Sequence, residues 1–231
     1  RRAGQVHQSG PGAAPAVRGG RIRAVGGTVT VTSAMCAGAY DACLRRGGMW
    51  GALFVHAYDR PDVVAGQGTV GRELMTQADV DTVLVAVGGG GLAAGVRLGL
   101  GPDVRLVAVE PERIPTLHAA LAAGRPVDVE VGGVAADALG ARRIGNLAFE
   151  LLAASRVQSV LVTESAIVQT RQRLWDRLQL VTEHGGATAA AALLSGAYAP
   201  KAGERVAVVI CGANTDPSDL VARPKVTQPL T

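Results

Sequence analysis

Apolar and polar positions along this chain follow two periods, about 2 residues in some segments and about 3.6 in others. The strongest segment is residues 83–87, an unbroken apolar run suited to a strand covered on both faces of a parallel sheet. Four glycines follow, Gly88 to Gly91, and residues 92–100 then read as a helix. Further strands are expected at residues 28–32, 52–55, 105–109, 160–163 and 205–210. Met35, Ala39, Ala42 and Cys43 fall on one face of a helix expected to stop at Gly47 and Gly48. Helices are also expected from Thr69, as a cap, through Met75, and over residues 115–123, 140–154 and 187–195. Ile167, Leu174, Trp175 and Leu178 give one more its apolar stripe. Strand alternating with helix predicts an α/β fold with a doubly wound parallel sheet, whose ligands sit at the carboxyl ends of the strands.

Residues 1–20 hold five glycines and two prolines with no periodicity, so irregular structure is expected there, with order beginning near Arg21. Asp59-Arg60-Pro61 marks a turn and a domain crossing. The expected organisation is an irregular segment over 1–20, part of a small α/β domain over 21–58, and a large α/β domain over 59–231.

Composition narrows this further. The chain has 231 residues, 48% of them hydrophobic and only 3% aromatic, so its core is Val, Leu and Ala. No apolar run is long enough for a membrane span. Cys36, Cys43 and Cys211 are too few and too scattered for a disulfide framework or a zinc site, and a reducing cytoplasm is the expected setting. The formal net charge of +4 comes from the start of the chain, where residues 1–40 carry five arginines and no acid. That start has the composition of a transit peptide, but the absence of an initial Met favours a fragment. From Asp41 onward the balance is near neutral, without the basic face that nucleic-acid binding needs.

The candidate chemistry lies in the glycine loop. A strand, a glycine turn and a helix N-terminus together form an anion site, because backbone N–H groups close on phosphate oxygens at the positive end of the helix. The glycines alone do not say which phosphate. Gly88-x-Gly90-x-x-Ala93 meets the loose dinucleotide fingerprint, with Glu110 placed to bind a ribose. A tight turn without a ligand is the plain alternative.

Ala65-Gly66-Gln67-Gly68-Thr69, the loop of residues 87–95, Val109-Glu110-Pro111 and Cys211-Gly212-Ala213-Asn214 occur here in one order. That order resembles the pyridoxal-phosphate enzymes of the tryptophan-synthase-β-like fold, above all the threonine/serine dehydratases. The segments 132–145 and Glu183-His184-Gly185-Gly186-Ala187 are similar to bacterial members, and the likeness covers roughly residues 21 to 220. It implies a large cofactor domain mostly present and a small domain in part. It also implies pyridoxal 5′-phosphate held through the backbone N–H groups of Gly88, Gly89, Gly90, Gly91 and Leu92. Cys211 matches the position that faces the pyridine nitrogen, where a thiol is a weak partner and no counter-ion. Asn214 would steady that turn, and Tyr58 falls near where the family contacts the ring. Some members place a divalent cation at the acid ending this strand, with a carboxylate six residues on. Here Thr116 stands at that second position, and no metal is expected.

The family's chemistry rests on a Schiff-base lysine well upstream of the glycine loop. This chain has two lysines, Lys201 in a turn and Lys225 near the end, and neither aligns with it. The segment that grips the substrate carboxylate is also missing, and residues 3–10 are at best a degraded echo of it. The resemblance therefore implies β-elimination of a hydroxy amino acid, threonine or serine, to a 2-oxo acid and ammonia. The expectation for this chain is a truncated or decayed, inactive form with no catalytic residue of its own. Two other readings stand beside it: a nicotinamide-dinucleotide binder, and a non-catalytic homologue acting through association. A homo-oligomer is expected, with no nucleic-acid or membrane partner.

Overall fold

The structure is a computed structural model describing residues 5–8, 14–31, 44, 45, 47, 49 and 55–221. The chain divides into two compact units, Arg1–Val55 and His56–Thr231. In the first, β1 (Gln5–Gln8), α1 (Ala14–Ala24) and β2 (Thr28–Val31) form a crossover, the strands pairing in parallel from Gln5↔Thr28 to Gln8↔Val31. Residues 1–20 are thus not irregular throughout. Pro15 sits in the first helical turn, where its missing N–H breaks no bond, and Gly19 and Gly20 are carried inside the helix. The helix through Met35 and Cys43 and, but for Val55, the strand at 52–55 lie outside the described residues. The stop expected at Gly47 is not seen, since Gly47 and Met49 are both helical. One glycine costs a helix only about 1 kcal/mol.

The second unit runs α2 (Pro61–Gln77), β3 (Thr82–Ala86), α3 (Gly91–Gly99), β4 (Arg105–Pro111), α4 (Thr116–Ala123) and α5 (Ala136–Leu139). It continues through α6 (Asn146–Ala154), β5 (Gln158–Val162), α7 (Glu164–Leu178), α8 (His184–Leu194), β6 (Val206–Val208) and α9 (Ser218–Val221). The four strands form one parallel sheet in the order β5-β4-β3-β6. Its two faces have separate cores. Val83, Val85 and Val87 point to the side packed with Ala93, Val96, Leu117, Ile144, Ala148 and Leu152, from α3, α4, α6 and the approach to α6. Leu84 and Ala86 point to the other, with Ile167, Ala189, Ala191 and Ala192 from α7 and α8. Every residue of β3 is buried, which is why its sequence shows no alternation. Among the described residues no helix is long and apolar enough to cross a membrane.

Two helices differ from expectation. α2 begins at Pro61, an N1 proline, so Thr69 lies mid-helix, its hydroxyl donating to the Gly66 carbonyl rather than capping a terminus. Gly68 and Gly71 are inside that helix because α3 crosses there. A Cβ on Gly71 would collide with the Val96 carbonyl and lie 3.1 Å from Gly99 Cα. The helix expected over residues 140–154 starts only at Asn146, because the segment before it is drawn to the glycine loop: the Gly145 N–H donates to the Gly89 carbonyl at 3.0 Å.

Candidate functional site

Strand order places the site before any side chain is considered. From β3 the chain adds β4 and β5 on one side, then crosses back to lay β6 on the other. The order therefore reverses between β3 and β6, and the carboxyl ends at such a reversal are where sheets of this kind take their ligands. The register Leu84↔Val208 brings the loop after β3 and the Cys211 turn after β6 to the same edge of the sheet. The N-termini of α3 and α8 begin at that edge too.

Backbone hydrogen bonds define the glycine loop. The Gly88 carbonyl accepts from the Thr116 hydroxyl at 2.6 Å, the Gly89 carbonyl from the Gly145 N–H at 3.0 Å, and the Gly90 carbonyl from the Ala94 N–H at 2.9 Å. Among the described residues, none of these turn and loop bonds is donated by an amide of residues 88–93. In a trans peptide the carbonyl and the following N–H point in opposite directions. Tying three successive carbonyls back into the protein therefore turns the N–H groups of Gly89, Gly90 and Gly91 the other way, toward the mouth of α3. Gly90 has φ +87°, a left-handed conformation that glycine takes without strain.

Packing also demands glycine here. A Cβ on Gly88 would lie 2.8 Å from the Leu139 carbonyl oxygen, and one on Gly91 would lie 2.7 Å from that of Tyr58. At Gly89 it would enter the Tyr58 ring. The run of four is thus explained by close contacts, and the argument for an anion passes to the amides. Tyr58 lies directly against the loop. His56 fixes it, since Nδ1 accepts the N–H groups of Tyr58 and Asp59, and the two rings meet edge to face at 4.6 Å. Asp59 accepts from the N–H groups of Asn146 and Leu147 at 3.1 and 3.0 Å, capping α6 beside the loop. Sequence reading missed that role, because cap and helix stand far apart along the chain.

The Cys211 turn is held from beneath. Thr182 donates its hydroxyl toward the Cys211 and Gly212 carbonyls, the nearer at 2.9 Å, and the Glu183 N–H donates to Gly212 at 2.8 Å. Arg171, almost wholly buried, donates to the Thr182 carbonyl at 2.7 Å and pairs with Asp219 at 2.6 Å. These groups steady the turn, whereas Asn214 Oδ1 is buried and has no hydrogen-bond partner among the described residues. Burial first, and then the charge of Glu183, push the Cys211 thiol above its usual range. It stays neutral at physiological pH.

Glu110 departs from the ribose-binding role. It is fully buried, and its two oxygens accept the N–H groups of Leu117 and His118 at 2.7 and 2.8 Å, capping α4. Thr116 and Ser159 add hydroxyl contacts at 3.1 and 3.4 Å. Burial outweighs these bonds and raises the carboxyl to about 7. A carboxylate enclosed in this way turns its oxygens to the first turn of α4 and to Ser159, not to a sugar. Lys201 lies at the opposite edge. Its N–H donates to Glu204, which accepts from Thr82 at the start of β3 at 2.6 Å. The length of β3 separates that corner from the glycine loop by roughly 16 Å.

Known proteins share this fold. A family described as pyridoxal-phosphate dependent enzyme matches residues 1–212. The L-threonine ammonia-lyase of Thermotoga maritima is 36% identical over 210 residues, covering 89% of this chain and 52% of that protein. Serine racemase from Dictyostelium discoideum superposes with a TM-score of 0.79 at 29% identity, over 91% of this chain and 69% of that one. Maize serine racemase superposes with a TM-score of 0.84 at 26% identity, over 93% and 68%. The chain spans about half the length of the curated relatives it matches.

Proposed function

The chain belongs to the pyridoxal-phosphate dependent enzymes, and from that premise we propose that it carries the phosphate-holding part of a threonine/serine dehydratase-like site. The observation that carries this reading is the glycine loop, whose tied carbonyls turn the amides of Gly89, Gly90 and Gly91 toward the helix N-terminus, where with those of Gly88 and Leu92 they would hold an anion. Cys211 would meet the ring nitrogen as a neutral thiol, a weak donor that leaves that nitrogen uncharged. Tyr58 would wall the loop. Pyridoxal phosphate, when bound, supplies an electron sink for bond changes at the α-carbon of an amino acid. The substrate class, a β-hydroxy amino acid converted to a 2-oxo acid and ammonia, rests on relatives named threonine ammonia-lyase, phenylserine dehydratase and threonine dehydratase. With Glu110 enclosed as a helix cap, the dinucleotide reading loses its ribose-binding acid.

Of the two lysines, Lys225 lies outside the described residues and Lys201 stands at the wrong edge of the sheet to meet the cofactor's aldehyde, so this chain is expected to hold the cofactor without a covalent bond. Proton transfer from substrate would then lack its positioned base, a loss of roughly 10²–10⁴-fold by itself. Calorimetry should show pyridoxal 5′-phosphate binding more tightly than pyridoxal. Borohydride should fix no stoichiometric label on a lysine, and threonine should give no 2-oxobutanoate above a cofactor-only control. Equal affinity for the two compounds would contradict the phosphate site. Stoichiometric labelling with threonine-dependent keto-acid release would contradict the non-covalent reading.

A further inference from the structure

The glycine loop does not hold its own shape. Two of its carbonyls are anchored from other elements, Gly89 by the Gly145 N–H and Gly88 by the Thr116 hydroxyl. The second anchor is the shorter, 2.6 Å against 3.0 Å, and Thr116 is completely buried. A threonine hydroxyl has one proton to donate. Glu110 Oε1 lies 3.1 Å away, so the shorter contact assigns that proton to Gly88. Thr116 is the first residue of α4, and its β-branch restricts χ1, which fixes the direction of the hydroxyl. Glu110 in turn fixes the start of α4 by capping Leu117 and His118. The chain of constraint runs from the end of β4, through the first turn of α4, to one peptide of the loop.

We propose that Thr116 is a positioning residue for the phosphate cradle: by holding the Gly88 carbonyl it aims the Gly89 N–H at the anion. The peptide plane transmits the effect, because the Gly88 carbonyl and the Gly89 N–H belong to one rigid unit. Without the hydroxyl, the carbonyl is a buried acceptor lacking a donor, and a rotated peptide that turns it outward becomes competitive. That rotation would bring the carbonyl's negative end toward the phosphate and withdraw an N–H. The inference rests on reading the loop as the cofactor's phosphate site.

Its test is a titration of wild type, Thr116→Val and Thr116→Ser with pyridoxal 5′-phosphate and, separately, with pyridoxal, alongside thermal melting. Thr116→Val keeps the shape and removes the donor. It should weaken pyridoxal 5′-phosphate roughly 3- to 10-fold, the worth of one hydrogen bond, without changing pyridoxal. Thr116→Ser restores the hydroxyl and should stay within about 2-fold of wild type. If Thr116→Val does not fold, Thr116→Ala makes the same deletion with a smaller side chain. Unchanged affinity for pyridoxal 5′-phosphate in the donor-less variant, or an equal loss for both compounds, overturns the positioning role. Wild type binding both compounds equally overturns the cofactor reading itself, a different and separately visible failure.

Discussion

Glu110 carries the clearest consequence at the scale of single residues. Its carboxyl is raised from 4.5 to about 7 by burial, so the folded chain binds a proton there that the unfolded chain releases near pH 4.5. The stabilisation this gives is complete below about pH 4.5 and is lost as pH rises through about 7, a change of about 3 kcal/mol. Groups facing the carboxyl are Thr116 and the Leu117 and His118 amides on α4, with Ser159 on β5, whose hydroxyl also contacts the His118 ring at 3.1 Å. Glu110→Gln removes the titration and leaves one amide facing an NH₂ group. Its stability deficit against wild type, read from urea midpoints, should therefore narrow between pH 5 and pH 8. A deficit constant across that range would contradict the assignment. The sequence placed Glu110 at a strand end, and that position was legible. Its partners were not, because a carboxylate in that place serves a ribose, a cation or a helix cap equally well until the next helix is located. Cys211 was more readable, since its place after the last apolar strand beside Gly212 already put it at a sheet edge.

At the scale of elements, apolar periodicity located the strands and most helices of the second unit, but boundaries failed where a distant partner decided them. α6 starts late because Asp59 supplies its cap, and α2 starts early because Pro61 opens it. The glycines of the Ala65–Thr69 motif stand before the helix start expected at Thr69, yet they lie in a helix crossed by α3 at close range. A Cβ on Gly99 would strike the Gly68 carbonyl and sit 2.7 Å from the Arg72 nitrogen. Gly99→Ala should thus destabilise the fold by about 1–3 kcal/mol through overpacking. Gly66, on the same helix as Gly68, has open space around its missing Cβ. Gly66→Ala should stabilise by about 0.4–1 kcal/mol, since it removes flexibility from the unfolded chain and suits a helix. Equal destabilisation in both variants, measured by denaturant unfolding, would mean that the crossing is not glycine-dependent.

At the scale of the whole molecule, alternation of strand and helix was enough to expect a doubly wound sheet with ligands at its carboxyl edge. Strand order was not legible, and it is strand order that puts the glycine loop beside the Cys211 turn and Lys201 at the far edge. The central claim is that the amides at the mouth of α3 bind the phosphate of the cofactor. Amide chemical shifts of ¹⁵N-labelled chain test it most directly. Adding pyridoxal 5′-phosphate should move the signals of Gly89, Gly90, Gly91 and Leu92, while pyridoxal at the same concentration leaves them in place. Unmoved glycine signals with shifts elsewhere, or the same shifts with pyridoxal, would contradict the account.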